Sequence, residues 1–154
     1  MMKTKKICVF LIMAIAILFL SACSDREPID RADFISAMEA ESFEILDVSY
    51  QVEFANYVIL AIAPDNAFQI EFYEFDTDGD ARSSFEATRQ QIEDGSGSSS
   101  SQTFVGVANY NRFTMTSSGR YAHIYRVGHT ILFVNWTDSE HRSEIRDLIG
   151  DFEN

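Results

Sequence analysis

Apolar side chains recur every three or four residues in three segments of the chain, which is the spacing of one face of an α-helix. The first predicted helix covers about 31–41 and begins after Asp30, a residue type that is common at the N-cap. The second covers about 79–93, and the third follows a cap at Thr137 or Asp138. Their apolar faces consist of Phe34, Ile35 and Met38, then Ala81, Phe85, Thr88 and Ile92, then Ile145, Leu148, Ile149 and Phe152.

Segments rich in β-branched and aromatic residues predict strands between these helices. The predicted strands cover 43–50, 57–63, 68–73, 103–116, 120–127 and 130–136. Adjacent strands joined by short turns favour antiparallel pairing. The order α-βββ-α-βββ-α therefore predicts an α+β fold, in which an antiparallel sheet of about six strands has about three helices on one side.

Residues 30–154 are expected to form a single α+β domain. The segment 94–102, with the sequence DGSGSSSSQ, has the low-complexity composition of a flexible polar loop. It is too short to separate two domains, and neither flank holds enough apolar residues to fold alone. We therefore interpret it as a surface loop that joins the second helix to the next strand.

The first 22 residues have a different pattern. Lys3, Lys5 and Lys6 precede an unbroken apolar run of 14 residues over 7–20. A helix of that length covers about 21 Å, which is short of the roughly 30 Å hydrocarbon core of a bilayer. The run is therefore typical of an export signal rather than of a permanent membrane span.

The apolar run ends in Leu20-Ser21-Ala22-Cys23, which resembles the lipobox of bacterial lipoproteins. This resemblance covers about the first 23 residues. It implies that residues 1–22 are a lipoprotein signal peptide, that the thiol of Cys23 is acylated, and that 23–29 form the lipidated cysteine and a short tether. An ordinary secretory signal or a single N-terminal membrane helix would leave the position of the cysteine unexplained.

The resemblance implies a location. The chain would be lipid-anchored at the cell membrane, with its domain on the extracytoplasmic side. Ser24 is similar to the residue at this position in lipoproteins that are sorted to an outer membrane, where the organism has one. The chain as a whole resembles small bacterial lipoproteins, and that resemblance implies no activity.

Charge excludes one class of partner. The chain has 24 acidic and 12 basic side chains, for a net charge of −12. All three lysines precede residue 23, so the other 132 residues have nine arginines against 24 acids, a net charge of −15. Nucleic acid is therefore not expected as a partner, because phosphate backbones need a basic surface. Once residues 1–22 are removed, Cys23 is the only cysteine, so no disulfide is expected.

The acidic residues Asp76, Asp78 and Asp80 resemble the start of an EF-hand calcium loop. That loop needs a glycine at its sixth position and a glutamate at its twelfth, where this chain has Ala81 and Ala87. These three aspartates are thus weak metal candidates, and a turn that leads into a helix explains them as well. No metal or other cofactor is expected.

The histidines do not predict a catalytic centre. His123, His129 and His141 lack the close spacing of a zinc pair and fall in a strand, a turn and a first helical turn. No strand–turn–helix nucleophile motif is present, and the serines cluster in 94–102. No catalytic residue is assigned, and whether the chain is an enzyme stays open.

Arginine and aromatic residues concentrate in the C-terminal strands, and both types are common in binding hot spots. The residues assigned to an interaction face are Arg112, Arg120, Tyr121, Tyr125, Arg126 and Trp136. Ordinary aromatic pairs between strands are the alternative explanation. The sequence thus predicts a membrane-anchored binding module of the cell envelope. Its partners are membrane lipid through acylated Cys23 and an envelope protein or small ligand. An accessory subunit of an envelope complex and a small envelope hydrolase remain alternatives.

Overall fold

A computed structural model describes residues 25–153, which form one antiparallel sheet of seven strands. The strands are β1 (Glu44–Asp47), β2 (Tyr57–Ile62), β3 (Gln69–Glu74), β4 (Ser100–Val107), β5 (Tyr110–Ser117), β6 (Arg120–Val127) and β7 (Thr130–Asp138). Their spatial order is β1-β2-β3-β7-β6-β5-β4. The α-helices are α1 (Arg31–Ala40), α2 (Asp78–Asp94) and α3 (Arg142–Gly150). The predicted α+β class is confirmed.

The sheet has seven strands rather than six because the predicted strand over 103–116 is two strands. The chain reverses at Ala108 and Asn109, between β4 and β5. Ala108 has a φ of 48°, a left-handed conformation that is uncommon for residues other than glycine. Strand β4 also begins at Ser100, so the end of the segment predicted as a loop belongs to the sheet.

The helices cover both faces of the sheet, so the prediction that they lie on one side was wrong. Phe34 of α1 and Ile149 of α3 pack on one face, in a cluster that includes Phe72. Phe85 of α2 packs on the other face, in a cluster that includes Phe113. Strand β6 is buried along seven of its eight residues because it lies between these two layers.

The cap of the first helix was predicted from the local sequence, whereas that of the third helix was not. The carboxylate of Asp30 accepts hydrogen bonds from the backbone N–H groups of Ala32 and Asp33, as predicted. The third helix is preceded by a 3₁₀ turn, Ser139–His141, in which the carboxylate of Asp138 accepts from the N–H of Glu140. Asp138 therefore caps this turn and not the helix, which begins after His141 without a side-chain cap, so the prediction that Thr137 or Asp138 caps the third helix was wrong.

The residues just before α1 are docked on the sheet rather than held away from it as a tether. The N–H of Arg26 donates to Oδ1 of Asn109 over 2.9 Å, and Nδ2 of Asn109 donates to the carbonyl of Arg26 over 2.7 Å. Ile29 is buried, and its N–H donates to Oγ1 of Thr130 over 3.0 Å. The predicted tether over 23–29 is thus part of the packed structure from Arg26 onward.

The N-terminal predictions lie outside the described residues. These predictions are the signal peptide over 1–22, the lipobox and the lipidation of Cys23. Between residues 25 and 153, no helix combines the length and the apolar content that crossing a bilayer requires.

Candidate functional site

A cavity of about 330 Å³ lies between α3 and strands β4, β5 and β6, and we refer to it as the arginine pocket. Its lining consists of Thr103, Arg112, Thr114, His123, Arg142, Arg146, Gly150 and Glu153. Three of its eight lining residues are arginines, whereas residues 23–154 together have a net charge of −15. The pocket is therefore a local concentration of positive charge on an acidic protein.

The strand register builds the floor of the arginine pocket. Thr103 of β4 lies opposite Thr114 of β5, and Thr114 lies opposite His123 of β6. Arg112 is two residues before Thr114, so its side chain leaves the same face of the sheet. These four residues therefore form one patch, although 20 positions separate the first from the last along the chain.

Helix α3 supplies the opposite wall. Arg142 and Arg146 are one helical turn apart and lie on the same side of the helix. Ile145 and Ile149 are fully buried beneath the helix and fix its position over the sheet. Both pairs are thus separated by four residues, so burial of the isoleucines fixes the side of the helix on which both arginines reach the pocket.

His123 has a buried nitrogen with no hydrogen-bond partner. Its side chain belongs to a residue that is 2% exposed, and its Nδ1 lies 3.2 Å from the hydroxyl oxygen of Tyr121. Its Nε2 is buried and has no partner among the described residues. A buried polar group in this state costs about 1–3 kcal/mol. A bound ligand that supplied an acceptor would remove this cost.

The tautomer of His123 follows from the state of Tyr121. Burial is the main cause that raises the pKa of Tyr121 to about 12, so its hydroxyl keeps its proton at neutral pH. A hydroxyl that accepted from Nδ1 would leave this proton without an acceptor among residues 25–153. We therefore assign Tyr121 as donor to Nδ1 and place the imidazole proton on Nε2. Nε2 of His123 is then a hydrogen-bond donor without an acceptor among the described residues, on a side chain that lines the arginine pocket.

His123 is uncharged over the physiological pH range. Burial, together with the nearby charges of Arg112 and Arg146, lowers its pKa to about 3. A base of this strength takes up a proton poorly at neutral pH, and general base catalysis works best when the pKa is near the operating pH. The imidazole is suited to donate a hydrogen bond rather than to transfer protons.

The arginine pocket also contains one carboxylate. Nη1 of Arg112 donates to Oε2 of Glu153 over 2.6 Å, and the side chain of Glu153 is 19% exposed. Within residues 25–153, no carboxylate forms an ion pair with Arg142 or Arg146. Guanidinium groups bind carboxylates and phosphates through paired hydrogen bonds. This arrangement is therefore suited to hold an anion.

The structure does not bring the predicted interaction face together as one surface. Tyr121, Tyr125 and Arg126 are at most 1% exposed, because both faces of β6 are covered. Arg112 lines the arginine pocket on the α3 side. The remaining pair of that set, Arg120 and Trp136, lies on the α2 side, where the guanidinium carbon of Arg120 is 5.2 Å from the centroid of the Trp136 ring.

Arg126 has a structural environment. Its Nε donates to Oδ1 of Asn111 over 2.8 Å, and its Nη1 donates to the carbonyl of Gly128 over 2.7 Å. Burial is the main cause that lowers its pKa. These bonds tie β6 to β5 and to the turn before β7.

The three aspartates that were weak metal candidates have separate partners. Oδ1 of Asp76 accepts from Asn56 over 2.8 Å, and Oδ2 of Asp80 accepts from the hydroxyl of Thr77 over 2.7 Å. Asp78 lies 3.9 Å from Nδ1 of His129. In the described part of the chain, no group of three or more histidine, cysteine or acidic side chains is placed to hold a metal ion.

Sequence reasoning missed most of the arginine pocket. Of its lining, only Arg112 belonged to the predicted interaction face, and His123 was not assigned to any site. The pair Arg142 and Arg146 has the spacing of one helix face and could have been noticed beside the apolar positions of α3. The strands beneath that helix could not be identified from the sequence, since they are distant along the chain.

Comparisons with known proteins do not identify a relative of this chain. No protein-family model, curated protein or solved structure matches the chain.

Proposed function

We propose that this chain is a lipid-anchored binding protein of the bacterial cell envelope and that it holds a small anion in the arginine pocket. The observation that carries the binding proposal is the partnerless Nε2 of His123, which is buried in the lining of a cavity with three arginines. An apolar or cationic ligand would leave these donors unsatisfied. An anion would accept hydrogen bonds from all of them.

The lipobox sequence at Cys23 supports the anchor. Cys23 is three residues before Arg26, so their Cα atoms are at most about 11 Å apart. The side chain of Arg26 donates through Nη1 to the carbonyl of Glu153, a residue that lines the arginine pocket. A lipid on Cys23 would therefore hold the pocket close to the membrane surface.

The binding proposal is tested by calorimetric titration of the full-length chain in detergent with inorganic phosphate, sulfate and succinate. At least one of these anions should bind, and Arg146→Gln should weaken that binding about tenfold, as expected for a charge-assisted hydrogen bond. Arg82→Gln is the matched control because Arg82 is exposed on α2 and the change in charge is the same. Failure of all three anions to bind would refute the binding proposal.

The anchor has a separate test. Replacing the nucleophilic sulfur in Cys23→Ala should block acylation, so the variant should lose the added lipid mass and no longer be retained in membranes as a processed protein. A processed variant that still fractionates with membranes would show that Cys23 is not the anchor.

A further inference from the structure

Glu153 is held in the arginine pocket by the rest of the chain. The next residue inward, Phe152, packs on Phe34 with ring centroids 5.9 Å apart. The carbonyl of Glu153 accepts from Arg26, and its carboxylate accepts from Arg112. A carboxylate is thus built into a cavity whose other charged groups are cations. Any anion that enters must be compatible with it.

Oxyanions differ in whether they can satisfy that carboxylate. Sulfate, carboxylates and phosphodiesters have no proton to donate at neutral pH, so they meet Glu153 as a like charge. A phosphomonoester has a second pKa of about 6 and retains a hydroxyl on phosphorus in part of its population. This hydroxyl can donate to Glu153 while the other oxygens accept from the arginines and from His123.

The volume of the arginine pocket favours a ligand larger than a bare phosphate ion. At about 330 Å³, it is comparable with the lower end of the roughly 300–1,000 Å³ that ligand pockets of proteins occupy. Thr103 and Thr114 add hydroxyl groups that can donate or accept. A small polar group attached to the phosphate would find partners there.

We propose that the arginine pocket selects a protonated phosphomonoester, with Glu153 accepting from the phosphate hydroxyl and with the arginines and Nε2 of His123 donating to the other oxygens. This inference rests on the proposed function, since it specifies the anion that the pocket binds. It assigns Glu153 as the residue that determines specificity.

The test is a titration of the full-length chain in detergent at pH 6 with glycerol 3-phosphate, dimethyl phosphate and sulfate. Glycerol 3-phosphate should bind at least about tenfold more tightly than either of the others, the difference expected for one hydrogen bond to a charged group. Glu153→Gln should bring this ratio close to one, chiefly by tightening the binding of sulfate. Asp151→Asn is the control because it removes the same charge from an exposed residue two positions away.

The outcomes separate the two proposals. Equal binding of sulfate and glycerol 3-phosphate, lost in Arg146→Gln, would refute the phosphomonoester inference and leave anion binding intact. Selectivity that persists in Glu153→Gln would refute the role of Glu153. If that variant does not fold, as judged by its thermal midpoint, the preference of the unchanged chain for glycerol 3-phosphate over dimethyl phosphate still decides the ligand class.

A further arm identifies the source of the phosphomonoester. Short-chain phosphatidic acid is added to the same detergent, because its headgroup is a phosphomonoester that is attached to a lipid. Tighter binding than that of glycerol 3-phosphate assigns the ligand to a lipid headgroup, and equal or weaker binding assigns it to a soluble molecule. Both results support a phosphomonoester as the ligand, whereas failure of both compounds to bind would refute it.

Discussion

Removing the polar groups beneath the arginine pocket is expected to stabilise the ligand-free protein. His123 has one orphaned nitrogen, and the fully buried Tyr121 has Nδ1 of that ring as its hydrogen-bond partner. Each buried polar group without a partner costs about 1–3 kcal/mol. Tyr121→Phe leaves both ring nitrogens orphaned, so the free energy of unfolding should fall by about 1–3 kcal/mol. Tyr121→Phe combined with His123→Leu leaves no orphaned polar group, so the free energy of unfolding of this double variant should exceed that of the unchanged protein by a similar amount.

The assay is urea unfolding of residues 24–154, followed by circular dichroism. A change of about 2 kcal/mol shifts the midpoint by about 1 M when the slope is about 2 kcal/mol per molar urea. Tyr50→Phe is the control for loss of a tyrosine hydroxyl, since Tyr50 is 85% exposed, and it should not move the midpoint. A double variant less stable than the unchanged protein would refute the reasoning, because it would mean that the Tyr121–His123 pair stabilises the fold more than the apolar pair that replaces it.

Three further predictions follow from burial and docking. The pKa of His123 in the folded protein is about 3, below its ordinary value of 6.5, so on acidification the unfolded chain takes up the proton first. The free energy of unfolding should therefore fall as the pH drops below 6.5. In urea titrations, that of His123→Leu should fall by about 1.4 kcal/mol less for each pH unit in this range. Phe85→Ala removes a fully buried ring and should cost about 3–5 kcal/mol in the same assay. Asn109→Ala removes both hydrogen bonds to the backbone of Arg26, so trypsin should cleave after Arg26 faster than in the unchanged chain.

The parts of the fold that the sequence predicts are those set by neighbours along the chain. The repeat of apolar residues placed α1 and α2 to within a residue or so of their ends, and Asp30 caps α1 as its residue type suggested. The final strands, β6 and β7, also coincide closely with their predicted ranges. Each of these features depends on contacts within a few residues.

The remaining features depend on contacts that sequence patterns do not reveal. Strand β7 pairs with β3, which places the last strand in the middle of the sheet. That pairing, together with helices on both faces, is why the aromatic residues of β6 are buried rather than exposed. The break at Ala108 was missed because no glycine or proline marks the turn.

The arginine pocket, too, could be predicted from the sequence only in part. Arg112 was noticed because arginine is frequent in binding sites, but Arg142 and Arg146 come from a helix that lines the same cavity from the other side. His123 was not assigned to any site because what distinguishes it is a missing hydrogen bond, and no pattern of residue types predicts one. The arginine pocket could therefore be identified only once the register of β4, β5 and β6 was known.

Two buried polar atoms lack partners in the described residues, and their surroundings distinguish their roles. Nη2 of Arg126 belongs to a guanidinium that is already fixed by Asn111 and Gly128, so one missing bond leaves its position determined. Nε2 of His123 belongs instead to a residue that lines a cavity, and the atom itself is buried just beneath the surface of that cavity's lining. Local rules of protein structure are most often broken at functional sites. By that criterion, the orphaned nitrogen of His123, and not that of Arg126, supports the proposed binding site. The acidic groups of the rest of the protein repel an anion, but salt screens this repulsion at distances beyond about 8 Å. The affinity proposed for an anion would therefore depend on the hydrogen-bond donors that lie close to it in the pocket.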